Sequence, residues 1–319
     1  MSPRVATVAR WLVALVFVGL LVSFVDVDAI RSRLSGADLR LAVPAVVGLV
    51  LVHVVAATAW RRLLRELTGV SLGWATTLRV YYAAQVFGTV TPGNVGADVY
   101  RVVAVGSGAG RSQLAQPVLL QRLTSVVAIV LLGLAGGIAL PIPWLRPFLV
   151  LAAILGGIAA GAFAALLRPV PAGGWIGRLV SRFGWSPRVT PESRLRSAIR
   201  DGLGFGLVFH GISLVLALVL VLAVDPTTAG QGLLVLGALA VARMSLAVPI
   251  SPNGIGVQEG LLAVLFVQLG LSAEIAIAAA LLNRLGFLLT AGVGAVALAA
   301  PGQAQRAPVA HPSRPAARG

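Results

Sequence analysis

The sequence contains no cysteine and no lysine, and only 11% of its residues are charged. Without cysteine the chain can form no disulfide and offers no thiolate as a nucleophile or metal ligand. Its three histidines, His53, His210 and His311, are far apart in the sequence, so we expect no metal site. No GxxxxGK[ST] stretch occurs, so no nucleotide site is predicted. We therefore expect a protein that works without a cofactor.

Apolar residues dominate what is present. Of the 319 residues 58% are hydrophobic, and the mean hydropathy is +0.95. A soluble protein of this size needs far more charge to cover its surface. Apolar runs of about 18 to 25 residues recur, which is the length that a bilayer-spanning helix requires. Because these runs are continuous rather than alternating, they argue against a β-barrel. The sequence predicts an all-α polytopic membrane protein.

The net charge of +15 comes entirely from arginine. In a soluble protein such an excess would suggest a nucleic-acid partner. In a membrane protein it marks cytoplasmic loops, so no nucleic-acid partner is expected. We place the chain in the cytoplasmic membrane of a bacterium, with both termini in the cytoplasm. An arginine-rich loop at 168–201 and a disordered tail at 301–319 are predicted to be cytoplasmic as well.

Six full spans are predicted, at about 8–25, 41–60, 117–140, 148–167, 202–224 and 276–299. Two further segments are interrupted by related motifs, TPGNVGAD at 91–98 and SPNGIGVQE at 251–259. Each motif is predicted to form the tip of a re-entrant hairpin that enters and leaves on the same side.

The two halves of the chain, about 8–140 and 148–300, then read alike: span, span, hairpin with motif, span. Each half has an odd number of crossings, so the second half is upside down relative to the first. A second echo agrees with this reading, because LLQRL at 119–123 and LLNRL at 281–285 follow their motifs at nearly equal distances. We predict one membrane domain over 1–300, organised as an inverted-topology repeat.

Proline and glycine in the motifs break helices and free backbone N–H and C=O groups. At membrane depth such a break is tolerated only inside the protein or beside a water-filled cavity. The half-helix that follows presents a positive end and unpaired N–H groups, which suit an anion. The alternative is a plain turn between helices.

Ionisable residues inside apolar segments add a second signal, since charges at such depth are costly and usually face the protein interior. Arginine has a fork of donors that suits phosphate oxygens, so we hypothesise that some of these arginines bind an anionic lipid headgroup. Internal ion pairs, such as Asp98 with Arg122, are the alternative. Asp98 and Glu259, the acids that end the two motifs, are expected either to cap their half-helices or to carry protons. The predicted substrate-binding residues are Thr91, Pro92, Gly93, Asn94, Gly96, Asp98, Arg101, Arg122, Arg243, Ser251, Pro252, Asn253, Gly254, Gly256, Glu259 and Arg284.

The stretches TPGNVGADVYRV and PISPNGIGVQEGLL, with LLQRL after the first, resemble the flippase-like transmembrane domain found in lysylphosphatidylglycerol synthases. The resemblance covers about residues 8 to 300. It implies an integral membrane domain that moves or handles lipids with polar or charged headgroups. Members that also carry an aminoacyltransferase domain have it after the membrane part, and we expect this chain to lack that chemistry. The chain departs from the family pattern at Asn94, where a second Gly or an Arg is commoner, and at Gln121, where an acid often stands.

The leading hypothesis is translocation or binding of an anionic-headgroup lipid, either a phospholipid or a polyprenyl-phosphate-linked lipid. Its partners would be membrane lipids, and enzymes of envelope biosynthesis are candidate protein partners. A membrane-embedded transferase, or its accessory subunit in lipid or envelope-glycan synthesis, is one alternative. It would need membrane-facing carboxylates, usually with a metal, and the outer loops hold few acids. A small-solute secondary transporter is the other alternative, and it fits the duplicated broken helices equally well.

Overall fold

The computed structural model describes residues 26–105, 110–166, 192–247 and 254–299, and within these ranges the chain forms helices and no strands. The all-α prediction is confirmed. The helices are α1 (Val27–Ser35), α2 (Leu39–Leu51), α3 (His53–Thr68), α4 (Trp74–Val90), α5 (Val95–Ala104), α6 (Arg111–Ile138), α7 (Leu145–Leu166), α8 (Glu192–Val224), α9 (Gly232–Met244), α10 (Val257–Gln268) and α11 (Ala273–Ala299). Short 3₁₀ turns lie at Pro92–Asn94, Pro226–Gln231 and Ser245–Ala247.

Five helical stretches in the described residues are long and apolar enough to cross a bilayer. They are Leu39–Thr68, Gln113–Ile138, Ser193–Val224, Pro226–Ala247 and Ala273–Ala299. Three of them contain spans that the sequence predicts, at 41–60, 202–224 and 276–299, and Gln113–Ile138 covers all but the last two residues of the predicted span at 117–140. The predicted span at 8–25 and the tail at 301–319 lie outside the described residues.

The predicted span at 148–167 and the segment before the second motif compare differently with the helices observed. Residues 148–166 fall in α7, which runs for 22 residues from Leu145 to Leu166. Residues 233–248 directly precede the second motif, so the predicted re-entrant hairpin makes them one of its arms. There α9 joins its two flanking 3₁₀ turns into the 22-residue stretch Pro226–Ala247, which is long enough to cross. The number of full spans stays a prediction, since the predicted span at 8–25 lies outside the described residues.

The predicted polar loop at 168–201 is too long, because α8 already begins at Glu192. The first turns of α8 are polar, but one face of them packs against other helices. Ala198 is fully buried against Leu63 and Leu120, and Asp201 forms an ion pair with Arg62 at 2.5 Å. Packing against α3 and α6 thus extends the helix through a segment whose composition indicates a loop. The remainder of that loop, 168–191, lies outside the described residues.

Two long helix pairs cross at glycines and bring the two halves of the chain together. Helix α4 packs against α11, where a Cβ atom on Gly294 would lie 2.1 Å from the carbonyl oxygen of Tyr82. Helix α6 packs against α9, where a Cβ atom on Gly237 would lie 2.7 Å from the carbonyl oxygen of Gly136. Small residues at such crossings let helix backbones approach closely within a membrane.

The turn between α8 and α9 is fixed by Asp225, which lies between two spanning stretches. One carboxylate oxygen accepts from the Thr227 hydroxyl at 2.6 Å and from its N–H at 3.0 Å, and the other pairs with Arg33 at 2.5 Å. These donors, first of all the Thr227 hydroxyl, hold the pKa of Asp225 below its ordinary value. The ion pair ties α1 to this turn.

A central basic cavity as the candidate functional site

The first motif folds into a tight turn between α4 and α5, which pack against each other as a helical hairpin. Gly93 and Asn94 both adopt left-handed backbone conformations, at φ 60° and 62°, which glycine and asparagine tolerate best. Thr91 joins the two helices, because its hydroxyl donates to the Phe87 carbonyl at 2.7 Å and accepts from the Gly96 N–H at 2.8 Å. The motif thus forms the tip of a helical hairpin, and its re-entry on one side of the membrane stays a prediction.

Asp98, one turn into α5, pairs with two arginines. One carboxylate oxygen accepts from Arg101 at 2.5 Å, and the other accepts from Arg122 on α6. Arg122 also donates to the carbonyl of Gly93 at the hairpin tip. This arginine therefore satisfies a backbone group freed by the helix break, as membrane depth demands. The predicted alternative, an internal pair of Asp98 with Arg122, is the arrangement observed.

Arg101 is held by side chains of the first half of the chain. It donates to Gln121 at 2.7 Å, and Gln121 donates in turn to the Ala56 carbonyl at 2.7 Å. Its guanidinium also lies 5.3 Å from the ring centre of Tyr81, within cation–π range. Arg101 is 6% exposed and therefore fixed in orientation.

The second motif repeats this arrangement with a glutamate. Glu259 accepts from the Gly256 N–H at 2.8 Å with one carboxylate oxygen, so it caps α10 as the sequence predicts. Its other oxygen accepts from Arg284 of α11 at 2.8 Å. Asp98 differs, since arginines occupy both of its oxygens. In each half, the arginine of LLQRL or LLNRL reaches the acid that follows the motif.

A cavity of about 250 Å³ lies between the two halves and is lined by residues of both motifs. Its wall includes seven of the predicted residues: Gly93, Asn94, Asp98, Arg101, Arg122, Arg243 and Gly254. Five others, Thr91, Gly96, Gly256, Glu259 and Arg284, support the hairpins without lining this cavity. Pro92 lies in the first turn, and Ser251, Pro252 and Asn253 lie outside the described residues.

The cavity wall carries an excess of positive charge. Among the described residues its charged side chains are Asp98 and three arginines, Arg101, Arg122 and Arg243. Arg243 is 6% exposed, and no carboxylate of the described chain lies within ion-pair distance of it. It also lines a second, 20 Å³ space beside Glu259. The four charges on the main wall therefore sum to +2, and Arg243 is the arginine there that has no carboxylate partner among the described residues.

Several lining residues were missed or given another role by sequence reasoning. His53 and His210 are distant in sequence, but both reach the cavity, where Ser125 Oγ lies 2.7 Å from His210 Nε2. Tyr81 and Gln85 of α4 line it too. The sequence could have indicated these lining residues, since each of them is a polar residue within an apolar segment. Tyr82 instead donates to the Val50 carbonyl at 2.7 Å.

The helices and the cavity define the class: a multi-pass α-helical membrane protein built around an internal basic cavity. The chain belongs to the family described as the lysylphosphatidylglycerol synthase TM region, which it matches over residues 7–294. The resemblance stated from the motifs is confirmed, and the protein is an integral membrane member of a lipid-related family. Neither a curated protein nor a solved structure shows significant similarity to it.

Proposed function

We propose that this protein moves an anionic lipid headgroup across the membrane through the central cavity. The observation that supports this proposal is the net charge of +2 on the cavity wall, where Asp98 is shared by two arginines and Arg243 has no carboxylate partner among the described residues. A buried arginine at membrane depth is costly unless an anion accompanies it. Phosphate oxygens match the forked donors of arginine, and every membrane phospholipid or polyprenyl-phosphate carrier supplies them.

The size of the cavity favours a headgroup over a whole lipid. Sites for drug-sized molecules usually measure roughly 300 to 1,000 Å³. At about 250 Å³, this cavity accommodates a phosphate with a small substituent but not two acyl chains. We propose that the chains remain in the bilayer while the headgroup passes between the two halves.

The helix packing supports an inverted repeat as the framework for this movement. Exchanging the halves maps α4 onto α9 and α6 onto α11, and it therefore maps the contact of α4 with α11 onto that of α9 with α6. The same exchange maps the Asp98–Arg122 pair onto the Glu259–Arg284 pair. Two hairpins that approach one cavity from opposite sides would allow alternate opening.

The absence of native cysteine allows a direct test of this topology. Single cysteines are placed at Ser71 and Arg111 in the first half and at Ala229 and Gln268 in the second, all exposed positions. A membrane-impermeant thiol reagent is expected to label the first pair only from the cytoplasm and the second pair only from outside. If Gln268 and Ala229 label from opposite sides, α9 crosses the membrane and the second re-entrant hairpin is wrong.

The alternatives have less support. An embedded transferase would need a free carboxylate near the substrate, but both oxygens of Asp98 accept from arginines. A small-solute transporter would share the hairpins and the basic wall, and what favours a lipid over a free solute is the family, which is named for a lipid synthase. We therefore propose a non-catalytic role with membrane lipids as the partners.

Replacing Arg243 with glutamine is expected to slow lipid movement roughly tenfold to hundredfold, the value of one lost charge-assisted hydrogen bond. The assay follows tail-labelled fluorescent phosphatidylglycerol in proteoliposomes, with dithionite bleaching the outer leaflet. Arg146→Gln is the matched control, because Arg146 lies exposed at the start of α7. Gel filtration is used to check that both variants are folded. Wild-type rates in Arg243→Gln would contradict the proposed function.

A further inference from the structure

Beside the arginines, the cavity has a wall of uncharged polar groups. Ser125 and His210 form a hydrogen-bonded pair across α6 and α8, with Oγ and Nε2 separated by 2.7 Å. Asn283 of α11 lines the same cavity. It occupies the position in LLNRL that Gln121 occupies in LLQRL. The Gln121 amide accepts from Arg101 and donates to the Ala56 carbonyl, so it is occupied within the protein. The equivalent amide of Asn283 faces a different environment.

Two of these side chains hold polar atoms with no protein partner. In the part of the chain that the structure describes, His210 Nδ1 and Asn283 Oδ1 are buried without a hydrogen bond. The two residues are only 6% and 8% exposed. Buried polar atoms are rarely left unsatisfied, so each of these atoms, on a residue that lines the cavity, calls for a ligand or an ordered water. One ring nitrogen and one carbonyl oxygen provide both donor and acceptor capacity, and a hydroxyl group offers both in return.

The charges of the cavity disfavour an amino group as this ligand. An ammonium would enter a space where arginines outnumber carboxylates by three to one among the described lining residues. Asp98, the acid on that wall, already accepts from Arg101 and Arg122 through both oxygens. A cationic headgroup would therefore meet repulsion and no free carboxylate.

We infer that the cavity selects a phosphate ester bearing a neutral, hydroxylated substituent, such as a glycerol or a sugar, over one bearing an amine. The inference rests on the proposed function and adds a subsite to it. The phosphate occupies the arginine side, and a hydroxyl of the substituent binds at Ser125, His210 and Asn283. This selectivity differs from that suggested by the lysine-bearing lipid in the family's name.

Binding to protein in nanodiscs is measured by competition against tail-labelled fluorescent phosphatidylglycerol. The probes are phosphatidylglycerol, phosphatidylmethanol, phosphatidylethanolamine and phosphatidylcholine. Phosphatidylmethanol keeps the phosphodiester charge but its headgroup has no hydroxyl. Wild-type protein is expected to bind phosphatidylglycerol about fivefold to tenfold more tightly than phosphatidylmethanol, the value of one or two hydrogen bonds. A hexosyl polyprenyl phosphate is included, and its rank against phosphatidylglycerol shows whether a sugar or glycerol supplies the hydroxyl.

Ser125→Ala is expected to reduce this preference to below about twofold while leaving the affinity for phosphatidylmethanol unchanged. Ser71→Ala, at an exposed position outside the cavity, is the control and should keep the full preference. Equal binding of phosphatidylglycerol and phosphatidylmethanol by wild type, or tightest binding of phosphatidylethanolamine, would overturn the subsite and leave the proposed function standing. If phosphatidylmethanol binds no better than phosphatidylcholine, the proposed function itself fails.

Discussion

Replacing Asp98 with asparagine is expected to lower the midpoint of thermal unfolding in detergent by on the order of 10 °C. The substitution keeps the size of the side chain but removes the charge that faces Arg101 and Arg122. The Arg101 side chain is only 7% exposed, so water cannot replace the lost carboxylate. Removing one partner of a buried ion pair typically costs about 3–5 kcal/mol, because the remaining charge is left uncompensated.

The matching change in the second half, Glu259→Gln, provides an internal comparison. It leaves one arginine, Arg284, without its carboxylate rather than two, so its effect should be smaller. Arg146→Gln at the exposed start of α7 is the control and should move the midpoint by less than about 2 °C. If Asp98→Asn unfolds at the wild-type temperature, the ion pairs do not hold the first hairpin. The predicted role of Asp98 as a proton carrier would then be the better explanation of a buried acid.

Gly294→Ala is expected to have an effect of similar size through packing alone. The added methyl carbon would lie 2.1 Å from the carbonyl oxygen of Tyr82 and 2.9 Å from its carbon. These are backbone atoms of α4 and cannot rotate away, so α11 must shift outward. Separating α4 from α11 opens an apolar helix contact between the two halves. We expect a fall in the thermal midpoint on the order of 10 °C and a faster loss of folded protein in detergent.

Gly292 supplies the control for this substitution on the same helix. A Cβ atom there would meet nothing within 4 Å, and the residue is exposed. Gly292→Ala should be neutral or slightly stabilising, because alanine favours helix over glycine by about 1 kcal/mol. Equal midpoints for the two alanine variants would show that the α4–α11 crossing is looser than described.

The predictions for Asp98 and for Arg243 separate an effect on stability from an effect on transport. The Asp98 and Glu259 pairs fasten the short helices α5 and α10 to the long helices α6 and α11, and we expect their loss to appear first as instability. Arg243 has no carboxylate partner among the described residues, so we expect its loss to appear first in lipid movement. A variant's thermal midpoint and its transport rate therefore test different parts of the site.

Composition and periodicity alone determined that this is a helical membrane protein, because the absence of charge over about 20 residues leaves the chain few alternatives. The motif TPGNVGAD fixed the position of the first hairpin tip, since its turn needs two adjacent left-handed residues and Gly93 and Asn94 supply them. The echo of LLQRL and LLNRL indicated which arginines have equivalent positions. These are local properties, and they can be read without coordinates.

The tertiary structure decided what each charged residue does. The sequence left Arg122 equally suited to a headgroup or to Asp98, and only the packing of α5 on α6 brings that carboxylate to it. It also could not show that His210 and Ser125, 85 residues apart, meet on one cavity wall. The start of α8 at Glu192 was missed for the same reason, since the burial of Ala198 depends on residues of α3 and α6. Contacts between distant segments determine partners and burial, and hydropathy and spacing carry no information about them.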